Sequence, residues 1–350
     1  MNNLAPVPEE SRPFSPAGKG WVVIWRALGA IAVTAGLLLH LGVMVCHAGR
    51  WDWVSAVTVF PIWMWALGGL ALGGIARLAG WRRSGSLVLL LWAVVFLSCP
   101  DEWRPLWRGM AQSSAAPPPG PPPAGRWRVV SLNCRKKSID AAREVAAWKP
   151  DVALFQEMGG WQEAALKALA REWWGAEGQA VVGPECAILA RGGLIPRLTT
   201  PPSVDEQFVQ ATLHRPDGQE IELVSIHLQR AVTDMRLWRW ETWREHSRNH
   251  RSRRLHLADA MNYQLRIGGL RPCLMAGDFN APANDRIFRT LMPHFRDVFP
   301  MAAVGWPDTY PNGFPLLRID QMWVTPELKP SGARAVRTVH SDHRMVVVDF

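Results

Sequence analysis

Three stretches without a single Asp, Glu, Lys or Arg lie in the first hundred residues of this 350-residue chain, at 27–49, 53–76 and 84–100. Because roughly 20 apolar residues suffice to cross a bilayer, the N-terminal part reads as membrane rather than as a soluble core. The first two runs are long enough to span. The third sits at the short limit and needs flanking Trp or Arg to anchor it. A cleaved signal peptide fits poorly, since two more apolar runs follow and a long segment precedes. Basic residues set the orientation: Arg12, Lys19 and Arg26 precede the first run, only Arg50 separates it from the second, and Arg77, Arg82 and Arg83 precede the third. The excess marks the cytoplasmic side. An integral membrane protein of bacterial inner-membrane type is therefore expected, with three spans and everything past residue 100 outside the cytoplasm; a third run that stopped short would leave that part inside.

Residues 111–125 read AQSSAAPPPGPPPAG, with six prolines. Such a segment builds no core and favours extended polyproline geometry, so it reads as a semi-rigid spacer. It separates a membrane region, 1–110, from a domain of α/β size, 126–350. The net charge of +9 is local within that domain. Residues 230–254 hold eight Arg against Asp234, Glu241 and Glu245, interleaved with Trp238, Trp240 and Trp243. Bases or a membrane interface suit such a patch, and so does a solvated helix covering apolar surface with arginine stems. The five cysteines are scattered and include no CxxC, which argues against a disulfide framework, a zinc site or a redox motif.

In the domain, apolar strand patterns occur at 127–133, 152–156, 187–190, 208–213, 221–228, 272–276, 318–324 and 345–350, and helical ones at 139–148, 161–173 and 252–267. The turn Arg215-Pro216-Asp217-Gly218 links two strands as a hairpin. Mixed, mainly antiparallel sheets with helices outside are predicted. Polar residues sit at the strand ends: Asn133, Glu157, His227, Asp278, Asn280, Asp320, Asp342 and His343. Each alone would pass for a turn or a capped strand end. Together, four carboxylates, two amides and two imidazoles suit a hard cation held by oxygen beside an acid–base histidine.

The strings SLN (131–133), FQE (155–157), SIHL (225–228), GDFN (277–280), RID (318–320) and SDH (341–343), in that order, resemble the endonuclease/exonuclease/phosphatase superfamily. The resemblance covers 126–350 and implies a four-layer sandwich of two packed mixed β-sheets flanked by helices. It implies a Mg²⁺- or Mn²⁺-dependent phosphodiesterase, with Glu157 as principal metal ligand and Asn133 and Asp342 near the ion or its waters. Asp278 and Asn280 would orient the attacking water and bind phosphate; His343 would be the catalytic histidine, Asp320 the carboxylate fixing its tautomer. His227 would donate to the scissile phosphate or leaving oxygen, with Glu185 in PECAIL as a weaker candidate partner.

The resemblance leaves the substrate open. Arg248, Arg251 and Arg254 crowd one helical surface and suit a nucleic-acid backbone, which favours an endonuclease-like activity. Membrane tethering suits a lipid head-group phosphodiesterase of sphingomyelinase type; the strings typical of inositol phosphatases are not evident. A non-catalytic membrane-bound binding module is disfavoured, because no expected ligand is replaced.

Overall fold

The structure, a computed structural model, describes residues 17–111, 116–197, 207–215, 217–230, 234, 236–267 and 272–350. It divides into two compact units, Met1–Val45 with Ile62–Cys99, and Cys46–Pro61 with Pro100–Phe350.

The apolar runs form α1 (Ala17–Gly49), a short α2 (Ser55–Thr58), α3 (Ile62–Leu78) and α4 (Arg82–Ser98), followed by α5 (Trp103–Ala111). Among the described residues only the first, over Gly20–Gly49, is by itself long and apolar enough to cross a membrane; counting each bent pair as one span raises the number to three. The second run, expected as one continuous span, is broken. Proline clashes with a helix running into it and cannot donate to one, so the helical run is interrupted before α3, at Pro61. α3 and α4 pack closely through small residues. A side chain at Gly69 would collide with the Trp92 ring, which is fully buried and donates its indole N–H to the Gly36 carbonyl at 3.1 Å.

Among the described residues the second unit contains twelve strands: β1 (Arg128–Asn133), β2 (Val152–Gln156), β3 (Gly178–Val182), β4 (Cys186–Arg191), β5 (Gly193–Pro196), β6 (Phe208–His214), β7 (Glu220–His227), β8 (Cys273–Asp278), β9 (Arg296–Asp297), β10 (Asp320–Val324), β11 (Gly332–Val336) and β12 (Met345–Asp349). They form two six-stranded sheets, β11-β12-β1-β2-β4-β3 and β5-β6-β7-β8-β10-β9. Each sheet has one parallel pair at its centre, β1 with β2 and β7 with β8; the other pairs are antiparallel. Parallel neighbours require a crossover. α6 (Ile139–Glu144) serves the first and α8 (Trp240–Ile267) the second; α7 (Glu163–Trp174) and α9 (Val298–Ala302) belong to the same unit, as do α2 and α5.

Strand alternation sends one row of side chains between the sheets and the other beneath the helices. Val129, Leu154, Ile188, Leu223, Leu274, Met322 and Val346 fill the space between sheets. Val130, Leu132 and Phe155 pack with Leu166 and Leu169 of α7, and Val224 and Ile226 with Leu257 and Met261 of α8. The expected sandwich of two packed mixed sheets flanked by helices is thus present.

Two expectations change. α8 starts at Trp240, not 252, so the whole second half of the Arg-rich segment is helical. The Pro-rich stretch, expected as a spacer, is partly held on the second unit: buried Arg128 donates to the Pro118, Gly120 and Trp148 carbonyls while pairing with Asp349 at 2.6 Å. All five cysteines are free.

The candidate active site at the strand ends

Register creates the site. His227 of β7 pairs with Asp278 of β8, and Asp278 with Asp320 of β10, so three functional side chains stand in one row across the second sheet. On the first sheet Asn133 ends β1 opposite Gln156, placing Glu157 just beyond β2. Glu157 has φ 56°, a conformation that costs a residue with a Cβ about 1 kcal/mol or more. The turn is held by the Lys136 N–H, which donates to Glu157 Oε2 at 2.7 Å. Gly277 of GDFN answers a close approach: a Cβ there would lie 2.0 Å from the Ile226 carbonyl oxygen, at φ 147°.

Asn133 joins the two sheets. Its Nδ2 donates to Glu157 Oε1 at 3.2 Å and to Asp278 Oδ2 at 3.0 Å, and its Oδ1 accepts the Arg135 N–H. Burial pushes the Glu157 carboxyl up, yet the Lys136 N–H, the Asn133 amide and the charges of His227 and Arg230 outweigh that and hold it below the usual carboxylate range. Asp278 moves the other way. It is fully enclosed and faces Asp320, and both effects raise it, against the pull of His343 and His227.

His343 Nδ1 lies 2.8 Å from Asp320 Oδ2, and its Nε2 lies 3.9 Å from Asp278 Oδ2. Burial pulls this imidazole down, but Asp320, then Asp278 and Asp342, lift it to about 9. The SDH loop is fixed from below: Ser341 Oγ donates to the Asn133 carbonyl at 2.6 Å and accepts the His343 N–H at 3.0 Å. Tyr310 lies against the His343 ring, centroids 4.9 Å apart. His227 reaches Asp278 with Nε2 at 4.0 Å and Glu185 with Nδ1 at 3.9 Å.

Asn280, also left-handed at φ 49°, donates its backbone N–H to Asp278 Oδ1 and its Nδ2 to the Leu228 carbonyl, tying the exit of β7 to the GDFN turn. Asn133, Glu157, His227, Asp278, Asp320, His343 and Asn280 are therefore linked in one site, with Glu185 at its edge. Asp342 stands at the rim, 3.7 Å from Arg135 Nε.

Of the three α8 arginines singled out in the sequence, Arg254 is engaged elsewhere, donating Nη2 to Asp52 Oδ2 at 3.0 Å, whereas Arg248 and Arg251 are exposed. Asp52 also meets His250 Nδ1 at 2.9 Å, and His250 Nε2 meets Asp285 at 2.6 Å. Buried Arg253 donates to the Asn280 carbonyl, so α8 bears directly on the GDFN turn.

Sequence reasoning included Arg230 as the start of the Arg-rich segment but missed the lysines at the cleft. A pocket of about 380 Å³ is lined by Lys136, Lys137, Glu157, Glu185, His227 and Arg230, together with Leu228. Arg230 stands 3.8 Å from Glu157, and Lys137 lies 4.5 Å above the ring of Trp161, which is 82% exposed. The signal was present as the run Arg135-Lys136-Lys137 directly after the Asn133 strand.

A two-sheet sandwich with acidic and imidazole groups gathered at the strand ends defines a recognisable class. Residues 130–343 match the Endonuclease/Exonuclease/phosphatase family, and the chain belongs to it. An endonuclease/exonuclease/phosphatase from Bacteroides vulgatus has the same fold, with TM-score 0.50 and 17% identity over 64% of this chain and 98% of that one. Also similar are the human Nocturnin catalytic domain with bound sulfate anion (TM-score 0.47, 18% identity, 64% and 93% covered) and D. rerio TDP2 complexed with single strand DNA product (TM-score 0.45, 15% identity, 64% and 98% covered). No curated protein matches the chain in sequence.

Proposed function

We propose that this protein is a membrane-anchored, divalent-metal-dependent phosphodiesterase acting on nucleic acid. The observation that carries the reading is the row His227–Asp278–Asp320 facing Asn133 and Glu157, with His343 clamped to Asp320. The site fits a cation such as Mg²⁺ or Mn²⁺. Asp278 and Asp320 face each other in a buried acidic group, and among the described residues Asp320 Oδ1 has no hydrogen-bond partner, so the site holds negative charge that a cation would offset. Glu157 would be the principal ligand, with Asn133 and Asp342 beside it. Bound there, the ion would supply Lewis-acid stabilisation of negative charge on the phosphoryl oxygens.

The side chains divide the remaining work. With Nδ1 of His343 committed to Asp320, Nε2 is the nitrogen that exchanges a proton at the reacting phosphate. Asp278, held by Asn133 and Asn280, orients the attacking water, and His227, backed by Glu185, donates to the phosphate or the leaving oxygen. Arg135, Lys136, Lys137 and Arg230 receive flanking phosphates, in preference to Arg254, which Asp52 engages. Trp161 offers a face on which a base can stack.

The outward placement of the catalytic unit is supported by Asp52. Its loop follows α1 yet belongs to the same compact unit as residues 100–350, so the chain between them crosses the bilayer an even number of times. If α3 crosses, so does α4.

The test uses the full-length protein in detergent with single- and double-stranded DNA, sphingomyelin and phosphoinositides, with and without Mg²⁺. DNA cleavage should require the ion, and Glu157→Gln and His343→Ala should each reduce turnover by about 10²-fold or more. Turnover that survived exhaustive chelation would overturn the metal assignment. In binding titrations against salt, Arg135→Gln with Arg230→Gln should flatten the slope by about two, one per lost phosphate contact; an unchanged slope would remove these residues from the substrate path.

A further inference from the structure

We infer that the N-terminal half of α8, together with the loop after α1, forms a binding site for anionic phospholipid at the membrane surface, distinct from the catalytic cleft. Trp240, Trp243, Arg244, Ser247 and Arg248 recur at intervals of three and four and so share one helix face. With Trp53 they line a cavity of about 900 Å³. Trp53 is 61% and Trp240 69% exposed, a large apolar area for a helix to leave in water.

Position in the chain names the occupant. Trp53 lies four residues past Gly49, where the long apolar helix ends, and Trp51 stacks on it with ring centroids 5.8 Å apart. A loop so close to a span end sits at head-group depth, where Trp is enriched and Arg meets lipid phosphates. Docking of Asp52 on His250 and Arg254 fixes the adjoining turns of α8 at that depth as well. The charges agree with an anionic ligand. Among the described residues Glu241 is the one carboxylate lining the cavity and lies 3.6 Å from Arg239, and neither Arg244 nor Arg248 forms an ion pair. The indoles accept the upper acyl chain and the two guanidinium groups the phosphate. Because α8 goes on to place Arg253 on the Asn280 carbonyl, lipid on this face seats the helix that supports the GDFN turn.

The inference rests on membrane anchoring, and the experiment separates the two. Full-length protein is reconstituted into nanodiscs of phosphatidylcholine with and without phosphatidylglycerol, and co-purifying lipid is measured by native mass spectrometry. Wild type should retain phosphatidylglycerol in preference to phosphatidylcholine. Arg244→Gln with Arg248→Gln should lower that preference about thirtyfold, about fivefold for each interfacial cation. Trp53→Ser with Trp240→Ser should lower retention of both lipids, and all variants should keep the wild-type melting temperature within a few degrees. Protein released from membranes by alkaline carbonate would refute the anchoring. Anchored protein whose lipid preference ignored both double variants would refute the site, as would a loss confined to DNA binding, which would make this face a nucleic-acid surface.

Discussion

Asp52 lies in a loop between apolar helices, and the sequence offers no reason to connect it with α8. Asp52→Ala removes the acceptor for His250 Nδ1 at 2.9 Å and for Arg254 Nη2 at 3.0 Å. Breaking a fully buried charge pair from one side costs about 3–5 kcal/mol. Here His250 is 2% exposed but Asp52 25% and Arg254 34%, so water compensates part of the loss and about 2 kcal/mol is expected. The loss is local, because His250 keeps Asp285 at 2.6 Å and the sheets lose no contact. The assay is hydrogen–deuterium exchange of the full-length protein in detergent, followed on peptides spanning 244–258. A local destabilisation of about 2 kcal/mol accelerates exchange through opening of that turn about thirtyfold, while peptides from β1 and β2 should exchange as in wild type. Asp52→Asn, which keeps an acceptor without the charge, should fall between. Exchange within twofold of wild type in Asp52→Ala would show that the loop does not brace the helix.

Gly277→Ala should prevent stable folding or cost at least about 3 kcal/mol, because the added methyl meets the Ile226 carbonyl within 2.0 Å at a φ that side chains rarely adopt; the yield and melting temperature of the purified variant report it, and a wild-type melting curve would contradict the register. Glu222 is fully enclosed; burial raises it, but Arg197 at 2.8 Å, Thr212 and Gln210 outweigh that and hold it below its usual 4.5. A depressed carboxylate contributes stability above its unfolded value that is lost as pH falls through the folded one, so Glu222→Gln should lower the melting temperature at neutral pH and flatten its decline below about pH 4.5; parallel curves for the two proteins would exclude the contribution.

The sandwich was legible because its central strands are nearly continuous apolar runs, and the site because its polar groups follow those runs directly: Asn133 after RVVSL, Asp278 after CLMAG. Edge strands were not. GQAVV, GLIP and GARAV are short, partly exposed and glycine-started, so neither alternation nor apolar continuity marks them. The start of α8 was hidden for a related reason: WETWREHSRNH carries almost no aliphatic residue, and its apolar face is made of tryptophans. Pairings such as Asp52 with His250, 198 residues apart, depend on where loops land. No local pattern encodes them.

The discontinuity of the catalytic unit also orders its biosynthesis. Asp52 emerges from the ribosome long before His250 and Arg254 exist, and α3 and α4 are made in the interval. The loop must therefore wait at the end of α1 while those helices find their places. Until α8 is made, 198 residues on, Asp52 has neither of its partners, so the brace closes late and joins the start of this unit to its middle.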